Sequence, residues 1–202
     1  MAGIYAEDRG FLFMHIPKTG GTSVSHVLQN HMLFKGSELK MHTDHKTLLQ
    51  WSKIIGNKFN KLFKVTCIRN PFSFMVSLYN FARYLQPESI WYESSRKGFN
   101  YFTEYFCSSK ESFNYMDYIQ VDNKICVDFF IRLENLKEDL EEMFREIANR
   151  NLISLDTLQN TETIPIMVKG KTVNYRSYYD EATAELVQNK FKKEIELFKY
   201  NF

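Results

Sequence analysis

The sequence predicts an α/β fold with a central parallel sheet that is flanked by helices. Short apolar runs at residues 11–16, 62–68 and 125–131 are typical of buried strands. Apolar residues at helical spacing follow each run. Strand patterns that alternate with helical ones predict βαβ units, and therefore a parallel sheet. The length of 202 residues suffices for one such domain, so we expect a single domain over residues 1–202.

Each predicted helix has its own local signal. The first covers residues 24–31, where valine, leucine and histidine recur at helical spacing. Asn70, followed by proline, is a good N-cap for a second helix whose apolar face runs over residues 72–83. Residues 140–147 predict a third helix, and Asp180 is the expected N-cap of a last one that continues through residue 195.

The composition excludes several classes of protein. A net charge of +2 is too small to predict a nucleic-acid partner. No apolar run approaches the roughly 20 residues of a membrane-spanning helix, and no signal peptide is recognisable, so we expect a soluble, cytoplasmic chain. Cys67, Cys107 and Cys126 match no zinc spacing and are best interpreted as reduced thiols in a reducing compartment.

A glycine-containing segment between the first strand and the first helix predicts an anion site. Residues 17–23, which we call the glycine loop, follow a buried strand and open a helix, where successive N–H groups can bind phosphate. The residues expected to bind are Lys18, Thr19, Gly20, Gly21, Thr22 and Ser23. The lysine precedes the glycines, unlike in a Walker A loop, so an ATP-dependent kinase is the weaker interpretation. The plain alternative is a strand-to-helix turn.

A second anion site is predicted where the next strand meets its helix. Arg69 ends the strand, and Ser77 lies two turns into the following helix. Together they can hold another phosphate. An ordinary helix cap with a surface arginine is the alternative.

In combination, these motifs resemble those of the carbohydrate sulfotransferases of the heparan and chondroitin type. Residues 15–23 resemble the loop that binds the 5′-phosphosulfate of 3′-phosphoadenosine 5′-phosphosulfate, and residues 69–79 resemble the 3′-phosphate site. Residues 132–136 are similar to a further family block, and residues 175–180 and 198–202 are similar to the C-terminal segment of the family. The resemblance implies a P-loop-like three-layer domain that transfers a sulfuryl group to an acceptor hydroxyl by in-line displacement. A chain without an anchor looks more like a microbial or viral relative than a Golgi one.

The resemblance also implies roles for single residues. Lys18 and the loop amides would bind the phosphosulfate, with Lys18 neutralising the leaving oxygen, and Arg69 and Ser77 would bind the 3′-phosphate. Lys169 and Lys171 could close over the nucleotide, although a solvated basic loop is an equal alternative. Phe74 departs from the family, which often has arginine at that position.

A histidine is the expected general base, because its pKa lies near neutrality. The family places a histidine six residues before an apolar residue, and His42 with Leu48 fits that spacing. His45 is the alternative base. The spacing of the two histidines also allows a metal site, but no third ligand is evident, so no metal is expected.

The acceptor is predicted only by class. Residues 81–118 hold twelve aromatic residues in 38 positions and are interpreted as an insertion that covers the acceptor site. Aromatic faces favour a glycan acceptor, whereas a helical lid packed on the core explains most of them equally well. A lipid or a phenol stays possible as acceptor. A catalytically silent nucleotide-binding module is the third functional hypothesis, after the sulfotransferase and the kinase.

Overall fold

The computed structural model describes residues 3–30, 39–42, 44–150, 152 and 174–202. Their contacts divide the chain into two compact units, which are treated separately below. The first unit comprises the described residues of Met1–Ile68 and Asp117–Lys169, and the second those of Arg69–Met116 and Gly170–Phe202. The expectation of a single domain stays a prediction.

The first unit is built on a five-stranded sheet. Its strands are β1 (Gly3–Ala6), β2 (Phe11–Met14), β3 (Leu39–His42), β4 (Phe63–Ile68) and β7 (Phe129–Arg132), in the order β3-β1-β2-β4-β7. Four of these strands point in one direction, and β1 runs antiparallel to both of its neighbours. The α/β prediction is confirmed, but the sheet is mixed because β1 forms a hairpin with β2.

Helices precede and follow these strands along the chain. They are α1 (Gly21–Asn30), α2 (Leu48–Ile55), α3 (Pro71–Ala82), α4 (Ile90–Arg96), α5 (Phe99–Ser108), α6 (Met116–Ile119), α7 (Leu136–Asn149), α8 (Glu181–Lys190) and α9 (Lys192–Phe198). Short 3-10 turns cover Gly56–Lys61, Leu133–Asn135 and Tyr175–Tyr178. Among the described residues, none of the helices has the length and apolar character needed to cross a bilayer.

The two faces of the sheet are covered by different helices. Phe11 and Phe13 of β2 pack into a cluster with α1 and α7, whereas Leu12 and Met14 pack into a second cluster with α2. Side chains alternate between the two faces of a strand. A strand that is apolar at every position therefore lies between helices on both sides, as the continuous run at residues 11–16 predicted.

The third predicted strand is only partly correct. Its second half forms β7, whereas at its start only Ile125 is in a strand, as part of a separate hairpin of β5 (Gln120–Val121) and β6 (Lys124–Ile125). Asp128 directly precedes β7, in the short connection between the two sheets. Its carboxylate accepts a hydrogen bond from the backbone N–H of Lys64 at 2.7 Å and lies 3.2 Å from the buried ammonium of that lysine.

An aromatic cluster forms the core of the second unit. Phe74 is fully buried, with its ring centroid 5.5–6.4 Å from those of Phe106, Phe113, Tyr115 and Phe191. The burial of this position also explains why Phe74 departs from the family pattern, because an arginine there would be a buried charge. Of the twelve aromatics at residues 81–118, five are buried, namely Phe99, Phe102, Phe106, Tyr115 and Tyr118, and three are exposed. The assignment of this segment as an insertion over the acceptor site stays a prediction.

The helix caps that the sequence predicted are confirmed. Asn70 accepts a hydrogen bond from the N–H of Phe72 at 3.0 Å, and Asp180 accepts one from the N–H of Thr183 at 2.8 Å. The prediction that the last helix continues through residue 195 is wrong. The chain leaves helical geometry at Phe191, which separates α8 from α9.

Candidate active site

The glycine loop has an unusual backbone in the first unit. Lys18 has a φ of 62° and Gly20 a φ of 95°, whereas Thr19 between them is not in the left-handed region. Alternation of this kind turns successive N–H groups toward one concave side and favours an anion. A lysine in the left-handed region costs about 1–2 kcal/mol, and such strain clusters at functional sites.

Internal hydrogen bonds hold this loop shape. The hydroxyl of Thr19, which is fully buried, donates to the carbonyl of Ile16 at 2.8 Å. The N–H of Ser23 donates to the carbonyl of Gly20 at 3.0 Å, which starts α1. The side chain of Thr19 thus shapes the loop, and its N–H is the group it can offer to a ligand.

Both glycines of the loop are needed for close packing. A Cβ on Gly20 would lie 2.5 Å from Cδ1 of Leu133, and a Cβ on Gly21 would lie 2.1 Å from Cδ2 of His15. Leu133 directly follows β7 and is the second residue of the 132–136 block. The loop is therefore held between the end of β7 and the imidazole of His15.

The two candidate bases lie at different places relative to this loop. His45 Nδ1 is 2.8 Å from the carbonyl oxygen of His15, and the two rings meet edge to face at 4.6 Å between centroids. His42 ends β3, and its backbone pairs with Gly3 on the side opposite to Met14. The His42 backbone is thus two strands, or roughly 10 Å, from the end of β2. The orientation of the His42 side chain lies outside the described part of the structure.

The predicted 3′-phosphate residues lie in the second unit. Arg69 directly precedes the N-cap of α3, and its Nε donates to Oγ of Ser73 at 2.8 Å. Ser77 is half-buried two turns into that helix. The contact with Ser73 was not predicted, although its position four residues after Arg69 is the signal that could have indicated it.

The remaining candidates from the sequence are the basic pair Lys169 and Lys171, the metal-site alternative and the cysteines. Lys169 and Lys171 lie outside the described residues. Within the described ranges, no group of three or more histidines, cysteines or carboxylates is placed to hold a metal ion. Burial raises the pKa of Cys67, and it raises the pKa of Cys107 to about 11, so neither thiol is set up as a nucleophile at neutral pH.

Comparison with known proteins decides the family. A family model described as the sulfotransferase family matches residues 3–201. The chain belongs to the sulfotransferase family. No curated protein and no solved structure gives a significant match. Membership of the sulfotransferase family indicates an enzyme that transfers a sulfuryl group from a sulfate donor to an acceptor hydroxyl, while the match leaves the carbohydrate type open.

Proposed function

We propose that this sulfotransferase takes its sulfuryl group from 3′-phosphoadenosine 5′-phosphosulfate and that the glycine loop binds the 5′-phosphosulfate. The observation that carries the proposal is the strained left-handed backbone of Lys18, four residues after β2 and three before α1. Strain of this kind persists where the surrounding structure over-determines it, which is typical of ligand sites. The family match runs through both units, which supports one P-loop-like, three-layer domain over residues 1–202.

The proposed chemistry is an in-line displacement. The acceptor oxygen forms a bond to sulfur while the bond between sulfur and the phosphate oxygen breaks, and the acceptor proton passes to a base. Negative charge grows on the leaving oxygen. The Lys18 ammonium and the N–H groups of the glycine loop, at the N-terminus of α1, would stabilise that charge.

We propose that the general base is one of two histidines, His42 or His45. His42 remains the prediction from the family spacing. The contact of His45 favours the alternative, because a carbonyl oxygen can only accept and Nδ1 of His45 must then carry the hydrogen. Neutral His45 consequently has its lone pair on Nε2, which is the state a general base requires.

The rest of the nucleotide is assigned to the other motifs. Arg69 and Ser77 would bind the 3′-phosphate, and Lys169 and Lys171 would close over the nucleotide. We keep a glycan as the proposed acceptor. Its support is modest, since only a few aromatics of residues 81–118 are exposed, among them Tyr84 at 87 % and Phe81 at 44 %.

The donor is tested by ligand-induced stabilisation followed by turnover. Excess 3′,5′-phosphoadenosine without metal should raise the melting temperature, since a ligand at 100 times its Kd stabilises by about 2.7 kcal/mol. ATP should give little shift. Labelled phosphosulfate donor is then incubated with a panel of glycans, lipids and phenols. A shift by ATP that requires Mg²⁺ would indicate a kinase, and donor binding without transfer to any acceptor would indicate a silent module.

Two alanine variants decide the base. The inactive variant of the pair His42→Ala and His45→Ala should bind 3′,5′-phosphoadenosine normally while its turnover falls by about 10²–10⁴. The contact with His15 favours His45→Ala as the inactive one. If both variants turn over at the wild-type rate, neither histidine is the base.

A further inference from the structure

The side chain of Arg69 is held by a serine to which no function has been assigned. Arg69 Nε donates to Ser73 Oγ at 2.8 Å, and Ser73 Oγ donates to the carbonyl of Asn70 at 3.1 Å. The direction of both bonds is fixed, because Nε–H can only donate and a carbonyl can only accept. The single hydroxyl hydrogen of Ser73 therefore points at Asn70, and its lone pairs face the guanidinium.

The peptide that carries Arg69 is also fixed. The hydroxyl of Tyr115, a fully buried residue, donates to the carbonyl of Arg69 at 2.8 Å. The next residue, Asn70, is 8 % exposed and donates from Nδ2 to the carbonyl of Asn201 at 2.8 Å. Since both the backbone and Nε have defined partners, the plane of the guanidinium is set before any ligand arrives.

We infer that Ser73 is a positioning residue that orients the Arg69 guanidinium toward the nucleotide 3′-phosphate. The inference rests on the proposed function, which assigns Arg69 to that phosphate. Arginine recognises phosphate through a planar fork, so the direction of the plane matters as well as the charge. Ordering this long side chain in advance lowers the entropic cost of binding.

Ser73 acts differently from Ser77 in this scheme. Ser77 is the predicted hydroxyl ligand of the phosphate, so its contribution would persist in the absence of Arg69. The contribution of Ser73 passes through Arg69 and should vanish with it. A double-mutant cycle separates the two cases.

The experiment measures Kd by calorimetry for 3′,5′-phosphoadenosine and for adenosine 5′-phosphate, which lacks the 3′-phosphate. Ser73→Ala should weaken the binding of 3′,5′-phosphoadenosine by about 3- to 10-fold, which is the usual contribution of one hydrogen bond. The same variant should weaken the binding of adenosine 5′-phosphate by less than about twofold. In the Arg69→Ala background, Ser73→Ala should change neither Kd by more than about twofold. Ser73→Thr, which keeps the hydroxyl, should recover the wild-type preference.

Ser95→Ala is the matched control. Ser95 is also a helical serine of the second unit, and its hydroxyl donates to the carbonyl three residues earlier, Tyr92, at 2.7 Å. Its loss should leave the preference between the two nucleotides unchanged, which separates a specific effect from a general loss of helix hydrogen bonding. Wild-type binding by a Ser73→Ala variant, or an equal loss in the Arg69→Ala background, would overturn the inference.

Failure of the proposed function would look different. If the wild type binds both nucleotides equally, or Arg69→Ala keeps the preference for the 3′-phosphate, the 3′-phosphate assignment itself fails and the inference falls with it. That result is visible without any Ser73 variant. If Arg69→Ala loses the preference and Ser73→Ala retains it, only the positioning role is refuted.

Discussion

Replacing Gly21 by alanine should destabilise the first unit, although alanine favours helices. Gly21 is the first residue of α1 and has an ordinary negative φ, so the backbone tolerates a side chain there. Propensity alone would favour alanine by up to about 1 kcal/mol. The effect of the substitution therefore depends on what the added methyl group meets.

The methyl group would meet the imidazole of His15. A Cβ on Gly21 lies 2.1 Å from Cδ2, 2.5 Å from Cγ and 2.6 Å from Nε2 of that ring, against the roughly 3.5–4.0 Å of a normal contact. His15 is 6 % exposed and packs against His45, so its ring cannot move without disturbing that contact. Overpacking of this kind costs about 1–3 kcal/mol, which exceeds the gain in propensity.

The assay is urea unfolding followed by tryptophan fluorescence. Trp51, which is 1 % exposed in the first unit, becomes the only tryptophan when Trp91 is replaced by phenylalanine. In that background, Gly21→Ala should lower the free energy of unfolding by about 1–3 kcal/mol. His15→Ala removes the ring atoms that the new methyl group would meet. In the His15→Ala background, the cost of Gly21→Ala should therefore be smaller by about 1 kcal/mol or more.

Two results would refute this reasoning. Wild-type stability of Gly21→Ala would mean that the loop and the His15 ring are not in close contact. An equal cost of Gly21→Ala with and without the His15 ring would mean that the clash lies elsewhere. A drop in nucleotide affinity for the single variant, relieved in the double variant, would additionally connect this packing to the proposed phosphosulfate site.

Three further predictions concern packing, capping and thiol chemistry. Phe74→Ala should lower the free energy of unfolding by about 3–5 kcal/mol, monitored by Trp91 fluorescence, because the ring is fully buried among aromatics; a loss below about 1 kcal/mol would contradict its central place. Hydrogen bonds from Thr183 hold the pKa of Asp180 below 3.8, so its contribution is present above that pH and is lost as the pH falls through the lowered value. Asp180→Asn should therefore flatten the acid dependence of stability below pH 3.8, and an unchanged pH profile would exclude this role. Burial raises the pKa of Cys107 to about 11, so alkylation at pH 8 should be slow in the native protein and rapid in urea, and equal rates would contradict the burial.

Features that depend on neighbouring residues were predictable from the sequence alone. The caps at Asn70 and Asp180 involve partners two or three residues away. The strand before the glycine loop and the helix after it follow from local periodicity. The family is likewise readable from short motifs, because phosphate recognition uses a loop and helix N-terminus that are contiguous in the chain.

Features that depend on distant residues were decided only by the tertiary structure. β1 and β3 lie outside the apolar runs that predicted strands, and they form strands because their backbones pair with each other and β1 also pairs with β2. The apolar run at 125–131 did not reveal that Asp128 would bond to Lys64, 64 residues earlier, and divide it between two sheets.

The candidate site divides in the same way. Residue types and spacing predict that Lys18, the two loop glycines and Arg69 belong to an anion site, since charge and backbone freedom are properties of single residues. Only the tertiary structure shows that His45 contacts the carbonyl of His15, 30 residues away in sequence. It alone also shows that Phe74 packs inside an aromatic core. Hydrogen bonds and packing join groups by their distance in space, which a linear pattern does not encode.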